Sequence, residues 1–289
     1  MAWVPMICSS AIDPFDSDDH SFEVKWRGVR GVIESTNKGI HVDGRKSIIL
    51  TPSFPELVKS DIEFGTVLDS EIIVFKDGKD HFPSIQKRLN TSGKKALLLS
   101  STSKSTAIVF DILQYKGLDV RQAPLLERKD MLNETIQQMD RKLFIMSETI
   151  QGKGLSLFDK VKGLGMEGIV AKRVLSRYSE TGEPSPDWLK IKVKQRKWFN
   201  VVGYRESEHG IASLAVADES GYRGTVGSGL LNLARRKAAY EVLRKLPSIS
   251  AMKDDRTIKW VKSSAQVFVE YCDESEDNHL IHPVLLDVR

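Results

Sequence analysis

Three stretches of this sequence place reactive side chains where strands would hold them. Phe22-Glu23-Val24-Lys25-Trp26-Arg27-Gly28-Val29-Arg30 reads as a short strand that delivers Lys25 to a turn: Phe22 and Val24 alternate with Glu23 and Lys25, and Gly28 breaks the run. An amine at such a strand end acts as a nucleophile once its proton is removed or its pKa lowered. Leu68-Asp69-Ser70-Glu71-Ile72-Ile73-Val74-Phe75 sets Glu71 inside an apolar strand, where a carboxylate is costly unless it pairs or binds something. Trp188-Leu189-Lys190-Ile191-Lys192 carries two lysines at alternate positions, so both point to one side, as they must to face one phosphate chain. Each stretch also has a plainer reading: a surface lysine beside a turn, a strand-edge carboxylate, a solvated strand face. Phe110 by itself reads as core packing, and Asp111 as structural.

The elements that position these residues follow from periodicity. Met1 to His20 is polar and irregular, with a solvated acidic run around Asp13 to Asp19. Gly31–Glu34 and Gly39–Val42 flank Thr36-Asn37-Lys38 as a hairpin, and Asp43-Gly44 turns the chain again before Arg45. Ser53 with Glu56 three residues on predicts a capping box that opens a helix through Leu57 and Val58. Thr66 to Phe75 and Ala107 to Leu113 predict strands, the second buried. Leu125 to Met139 predicts a helix with Leu132, Ile136 and Met139 on one face, and Leu157 to Leu164 a second helix closed by Gly165. Strands Gly168–Ala171 and Trp188–Lys192 follow, on either side of a polar loop from Ser176 to Asp187.

The composition changes at the basic run Lys192 to Lys197, read as an interdomain hinge. Beyond it, Phe199–Tyr204, Ile211–Ala217, Tyr222–Gly227 and Gln266–Tyr271 predict short strands. One helix interrupts them, with Leu230, Ala234, Ala238, Val242 and Leu246 recurring every fourth residue. Short strands with one helix suit a small barrel of the OB type. The fold class expected is therefore α+β: antiparallel sheets and helices over residues 1–194, then an OB-fold β-barrel over residues 195–289.

A chain of 289 residues, 40% hydrophobic and 28% charged, suits two globular domains with real cores. No apolar run approaches the roughly 18 residues of a membrane span, and the start lacks the n- and h-regions of a secretory signal. Cys8 and Cys272 lie far apart with no Cys-x-x-Cys pair, which argues against a disulfide framework or a structural zinc site and suits a reducing cytoplasm. None of the six histidines sits at metal-ligand spacing. A net charge of +4 permits a polyanionic partner without demanding one.

In their order, these stretches resemble the motifs of the covalent nucleotidyltransferases, the ATP-dependent DNA ligases and mRNA-capping enzymes. Lys25 matches the adenylated residue and Arg30 the arginine of the same motif. Asp69-Ser70-Glu71 is similar to the third motif, with Ser70 replacing a glycine, and Phe110 to the aromatic that stacks on adenine. Glu167-Gly168-Ile169-Val170-Ala171-Lys172-Arg173 looks like the fourth motif and Trp188–Lys192 like the fifth. Further stretches, Pro14–Ser17, Phe54–Leu57, Pro124–Lys129 and Val201–Tyr204, resemble the ligase module of bacterial end-joining DNA ligases. The likeness covers nearly the whole chain and is strongest over residues 14 to 204.

The resemblance implies an ATP-dependent DNA ligase of repair or end joining, with AMP carried on Lys25 and Mg²⁺ as cofactor. It assigns Glu71 to the nucleotide ribose, with Glu167 and Glu71 as metal ligands, and Glu23 as acceptor for the adenine amino group. Arg30, Arg45, Lys190 and Lys192 become the cations that hold phosphate, the guanidinium groups suited to bidentate contact. Nicked or broken duplex DNA is the expected partner, with a Ku-like end-binding protein or a polymerase as further partners that the family allows. The chain is expected to act as a monomer in the cytoplasm. Two departures bear on the first step. The family carries Asp where this chain has Arg27, which inverts the charge beside the lysine and is expected to weaken self-adenylation. Leu280 to Arg289 matches only the beginning of a sixth motif that orients pyrophosphate. The alternatives are an RNA ligase or capping-type enzyme of the same superfamily, and a nick- or end-binding homologue with impaired self-adenylation.

Overall fold

The computed structural model describes residues 3–11, 13–208, 210–229, 233–275 and 277–289, the side chains of 47, 233–235, 238 and 273 excepted. The chain divides into two compact units, Met1–Lys192 and Val193–Arg289. In chain order the first unit holds β1 (Ile7–Ser10), β2 (Ser17–Val24), β3 (Val29–Thr36), β4 (Gly39–Asp43), α1 (Pro55–Val58) and β5 (Val67–Lys76). Next come β6 (Lys79–Asp80), α2 (Phe82–Arg88), α3 (Gly93–Thr102), β7 (Ser105–Tyr115), β8 (Leu118–Asp119) and α4 (Leu125–Gln137). The unit ends with β9 (Phe144–Met146), β10 (Ile150–Gly152), α5 (Gly154–Gly163), β11 (Gly168–Arg173) and β12 (Pro184–Lys192).

These strands make two sheets. One has the order β1-β12-β11-β2-β10; the other runs β4-β3-β5-β7-β8, with β6 on β5 and β9 on β7. Neighbours are antiparallel except β1 with β12 and β7 with β9. The second sheet buries one face under α4, where Leu132, Ile136 and Met139 pack with Leu68, Ile72, Val109 and Phe144. Its other face supplies Val32, Val67 and Leu113 to a cluster with Met6, Tyr178 and Trp188 from the region of the first sheet. Phe110 on β7 and Trp188 on β12 meet edge to face at 6.1 Å between ring centroids. The reactive side chains lie where these two sheets come together. Beneath them, Asp111 takes two hydrogen bonds from Arg128, 2.8 and 2.9 Å, with both side chains fully buried.

The second unit holds β13 (Gln195–Ser207), β14 (Gly210–Asp218), β15 (Gly221–Val226), α6 (Leu233–Leu243), β16 (Lys259–Trp260), β17 (Gln266–Tyr271), β18 (Asp273–Glu274), β19 (Leu280–Ile281) and β20 (Val284–Val288). Its main sheet runs β15-β14-β13-β17-β20, all antiparallel, with β16 on β13. A parallel bridge between Ser228 and Val284 joins the two ends of that order, the closure of a small OB-type barrel around Phe199, Val216, Val226, Val267 and Val269.

Several sequence expectations need correction. The irregular start contains β1, and β2 begins at Ser17, so Asp18 and Asp19 lie in a strand. The Ser53–Glu56 capping box is absent: Phe54 caps α1 without a side-chain bond, Ser53 Oγ donates to Thr91 O, and Glu56 accepts from Arg88 and Ser105. Pro55 at the first helical position and the buried Arg88 account for this, since the guanidinium claims the carboxylate. Helices α2 and α3 have no counterpart in the sequence expectations. Much of the basic hinge is strand: Lys194 and Arg196 pair with Glu270, and Lys197 with Asp218. In α6, Leu230 lies outside the described residues. Val242 is 62% exposed while Leu243 is buried and Tyr240 packs on the core. A four-residue step overshoots one helical turn by about 40°, so such a stripe winds off the core face.

Candidate functional site

Lys25 follows β2 directly, and four contacts fix the turn that carries it. Its amide donates to Gly168 O at 2.9 Å, tying the turn to β11. The amide of Arg27 donates to Asp80 Oδ2 at 2.7 Å and that of Gly28 to Glu71 Oε1 at 3.1 Å. The fourth is the amine itself, which donates to Glu167 Oε2 at 2.8 Å. Gly28 is obligatory: a Cβ there would collide with Ile72 O and lie 2.7 Å from Ile73 Cγ2. The turn therefore presses against β5, the strand that carries Glu71.

Glu167, in the loop from α5 to β11, holds Lys25 on one oxygen and Lys192 on the other, each at 2.8 Å. Burial raises its pKa, but Lys25 and then Lys192 outweigh that and keep the carboxyl below its usual range. Lys190 lies two residues before Lys192 on β12 and is half-buried. Glu71 is in the opposite condition. It stands across from Arg30 on β3 and Ile108 on β7. Burial pushes its carboxyl up to about 7; Lys25, Arg30 and Arg45 pull it down, and Glu167 adds to the rise. Lys25 meets Glu167 directly, and Glu71 joins them through the Gly28 amide of the same turn and its place opposite Arg30; Arg45 is exposed in a short 3-10 turn, Arg45–Ser47.

Arg30 is engaged by neighbouring protein groups. Its Nε and Nη2 grip both oxygens of the fully buried Asp69, Nη2 also reaches Met6 O, and its Cζ lies 4.6 Å from the centroid of Phe110. Asp69 accepts from Tyr178 Oη as well. Glu23 is likewise spoken for. It is 2% exposed and pairs with Lys129 at 2.6 Å and Lys172 at 3.0 Å. Burial raises its pKa, but the two ammonium groups more than compensate and hold the carboxyl below its usual range. Lys172 in turn lies over the rings of Phe110 and Trp188, 4.5 and 4.2 Å from their centroids, and burial lowers its pKa to about 8 against the pull of Glu23. Glu23 and Phe110 thus join the site through Lys172.

Asp69, Asp80, Lys129 and Lys172 escaped the sequence reading. Three of them stand inside stretches already singled out, Leu68–Phe75, Pro124–Lys129 and Glu167–Arg173. Asp80 had no signal beyond a short turn at Asp77-Gly78. Arg27 points to Asp80, with Nε 3.6 Å from Oδ2, and its Nη2 reaches Gly165 O at 3.5 Å.

The carboxylates also bear on a metal. Among the described residues no group of three or more His, Cys, Asp or Glu converges on one point. Two carboxylates, Glu167 and Glu71, face the lysine neighbourhood, and Glu71 has only the Gly28 amide as a hydrogen-bond donor among the described residues. That donor set suits Mg²⁺, which is typically held by one or two carboxylates with substrate phosphates and water completing its shell.

Comparison with known proteins places this arrangement. A family model described as ATP dependent DNA ligase domain matches residues 4–192. The SPbeta prophage-derived DNA ligase-like protein LigB of Bacillus subtilis is 32% identical over 205 residues, 71% of this chain and 72% of that protein. DNA ligase C of Mycobacterium tuberculosis is 26% identical over 275 residues, covering 89% of this chain and 73% of that protein. The multifunctional non-homologous end joining protein LigD of Pseudomonas aeruginosa is 25% identical over 289 residues, covering 93% of this chain and 33% of its own length. Among solved structures, a mycobacterial DNA ligase D complexed with ATP and MES aligns over 99% of this chain and 95% of its own, at 22% identity and a TM-score of 0.59. A Lig E DNA ligase aligns over 99% of this chain and 100% of its own, at 14% identity and a TM-score of 0.68. These likenesses establish a shared fold.

Proposed function

Since this chain belongs to the ATP-dependent DNA ligase family, we propose that it seals 5′-phosphate/3′-hydroxyl breaks in duplex DNA through an AMP carried on Lys25. The observation that carries this reading is the Lys25–Glu167–Lys192 cluster: an amine at a strand end, fixed by a carboxylate that a second cation shares. Lys25 attacks the α-phosphate of ATP, a phosphoramidate forms, and pyrophosphate leaves. The amine donates to Glu167 Oε2 at 2.8 Å, a contact that orients it for attack. AMP then passes to the 5′-phosphate of the break, and the 3′-hydroxyl displaces it to close the strand. Phosphoryl transfer asks chiefly for positioning and charge stabilisation, which suits a site built of fixed cations.

Roles follow from position. Lys190, Lys192 and the exposed Arg45 attract the phosphates. Phe110 offers its ring to the adenine and Glu71 its carboxylate to the ribose. Arg30, locked on Asp69, shapes the pocket wall beside Phe110 rather than binding phosphate. Glu23, Lys129 and Lys172 form its charged floor. Mg²⁺, when bound, neutralises phosphate charge, with Glu167 and Glu71 the carboxylates that would hold it. Cationic side chains bind the duplex through its phosphates, with little reading of sequence. A relative named for end joining makes double-strand breaks a substrate to test, with a Ku-like protein or a polymerase as partner. We further infer a monomer working in the cytoplasm.

A nick-binding homologue without self-adenylation is the second reading, which Arg27 favours. One experiment separates them. A duplex with a single labelled nick is incubated with the protein, ATP and Mg²⁺, beside the same duplex already carrying 5′-AMP. Sealing of both supports the ligase; sealing of the pre-adenylated nick alone assigns the defect to step one; sealing of neither overturns the proposal.

A further inference from the structure

We propose that Ile48 and Ile49 form an apolar contact for the DNA strand at the break, on the loop that also carries Arg45. The inference rests on the reading of this chain as a DNA ligase and goes beyond its nucleotide site. β3 begins at Val29, opposite Ile72 on β5 and directly after the Gly28 bend. β4 runs back beside β3 and ends with Asp43 opposite Val32. The loop from Gly44 to Ile49 therefore leaves the sheet at the end where the Lys25 turn enters it. Only β3 separates β4 from β5, the strand of Glu71, a spacing of roughly 10 Å.

The backbone of this loop is pinned. The Gly44 amide donates to Ile48 O at 2.7 Å, Ile49 bridges Asp43, and the Leu50 amide donates to Val42 O at 2.8 Å. Leu50, 3% exposed, anchors the return in the core with Val42. Ile48 and Ile49 stay outside, 57% and 69% exposed. One exposed isoleucine is ordinary; two in succession on a fixed loop make a continuous apolar surface that gains free energy only when something covers it. The charges beside it point to a polyanion. Arg45 and Lys46 are exposed, and no Asp or Glu occurs between Asp43 and Glu56, whose carboxylate is taken by Arg88 and Ser105. Cations next to an apolar pair suit a nucleic-acid strand, which offers phosphates to the first and sugar and base surface to the second. Intact duplex hides its base faces in the stack, whereas a break exposes the faces of the pairs on either side. The broken strand is the occupant that fits both the chemistry and the place.

The test compares the parent with Ile48→Ser/Ile49→Ser and with the conservative Ile48→Leu/Ile49→Leu. Equilibrium binding to a nicked duplex and to the same duplex intact is measured across a salt series, beside AMP addition by intact mass and the melting temperature. I48S/I49S should bind the nick about tenfold more weakly and the intact duplex within about twofold of the parent. Its plot of log affinity against log salt should keep the parent's slope, because no phosphate contact is lost, whereas Lys46→Ala should lower that slope by about one. AMP addition and melting temperature should match the parent, and I48L/I49L should bind the nick within about twofold of it. Unchanged nick binding, an equal loss on both duplexes, or a changed slope with I48S/I49S would each overturn the proposal. So would unchanged DNA binding with weaker self-association in sedimentation, which would assign the pair to a contact between copies. A parent that takes no AMP and does not prefer the nick refutes the ligase reading, and this proposal with it. A parent that does both, while I48S/I49S keeps its nick affinity, refutes only the role of the loop.

Discussion

Replacing Glu71 with glutamine should stabilise the protein at alkaline pH and leave it unchanged in acid. In the unfolded chain this carboxyl ionises near 4.5, whereas burial in the folded chain pushes it up to about 7. Between those two values the folded protein keeps a proton that the unfolded chain has released. Stability therefore falls as pH rises through that window, and the cost is fully developed above it. The separation corresponds to about 3 kcal/mol, at about 1.4 kcal/mol for each tenfold change in proton affinity. Glutamine never ionises, yet its carbonyl oxygen can still accept the Gly28 amide that Glu71 Oε1 accepts. Denaturant unfolding of both proteins across the pH range should show coincident stabilities near pH 4. Near pH 8 the variant should lead by about 3 kcal/mol, worth about 6 to 12 °C in Tm for a unit of this size. ATP with Mg²⁺ should narrow the gap, because a cation at Glu71 favours the carboxylate. A difference that stays constant with pH, or that favours the parent at pH 8, refutes the assignment of Glu71 as a half-buried carboxylate lacking a sufficient counter-charge.

Other substitutions probe the scaffold and the site separately. Asp111→Ala strands the fully buried Arg128 and should cost about 3–5 kcal/mol in chemical denaturation. Gly28→Ala forces a methyl group against Ile72 and Ile73, so it should lose about 1–3 kcal/mol and slow AMP addition by displacing the turn that carries Lys25. Lys192→Ala removes one of the two cations on Glu167; single-turnover AMP addition should fall by about two to three orders of magnitude while the melting temperature changes little.

Much of the site could be read before any coordinates, because its chemistry is carried by strands with visible alternation. Lys25, Glu71 and Lys192 stand at strand ends or within apolar strands, and their spacing shows which way each points. What could not be read is who neutralises whom. Arg30 and Asp69 lie on adjacent strands, but nothing local says that this carboxylate takes the arginine fork. Glu23 meets Lys129 and Lys172 across more than a hundred residues of chain, and Asp80 meets Arg27 across a hairpin whose strand β6 has only two residues. Strand β1 was invisible for a similar reason: it pairs in parallel with β12, at the far end of the first unit. The capping box failed because a pattern of Ser and Glu cannot reveal a distant arginine that claims the glutamate. Local periodicity reports the direction of a side chain; its partner is a property of the assembled sheets.

The central claim is that Lys25 becomes covalently adenylated, and intact-mass measurement tests it most directly. The purified protein is incubated with ATP and Mg²⁺, with Lys25→Ala treated alongside. A gain of one AMP by the parent and none by the variant, with the adduct mapped to the peptide containing Lys25, is the predicted result. No gain by the parent, or an equal gain by both, would contradict the account at its first chemical step.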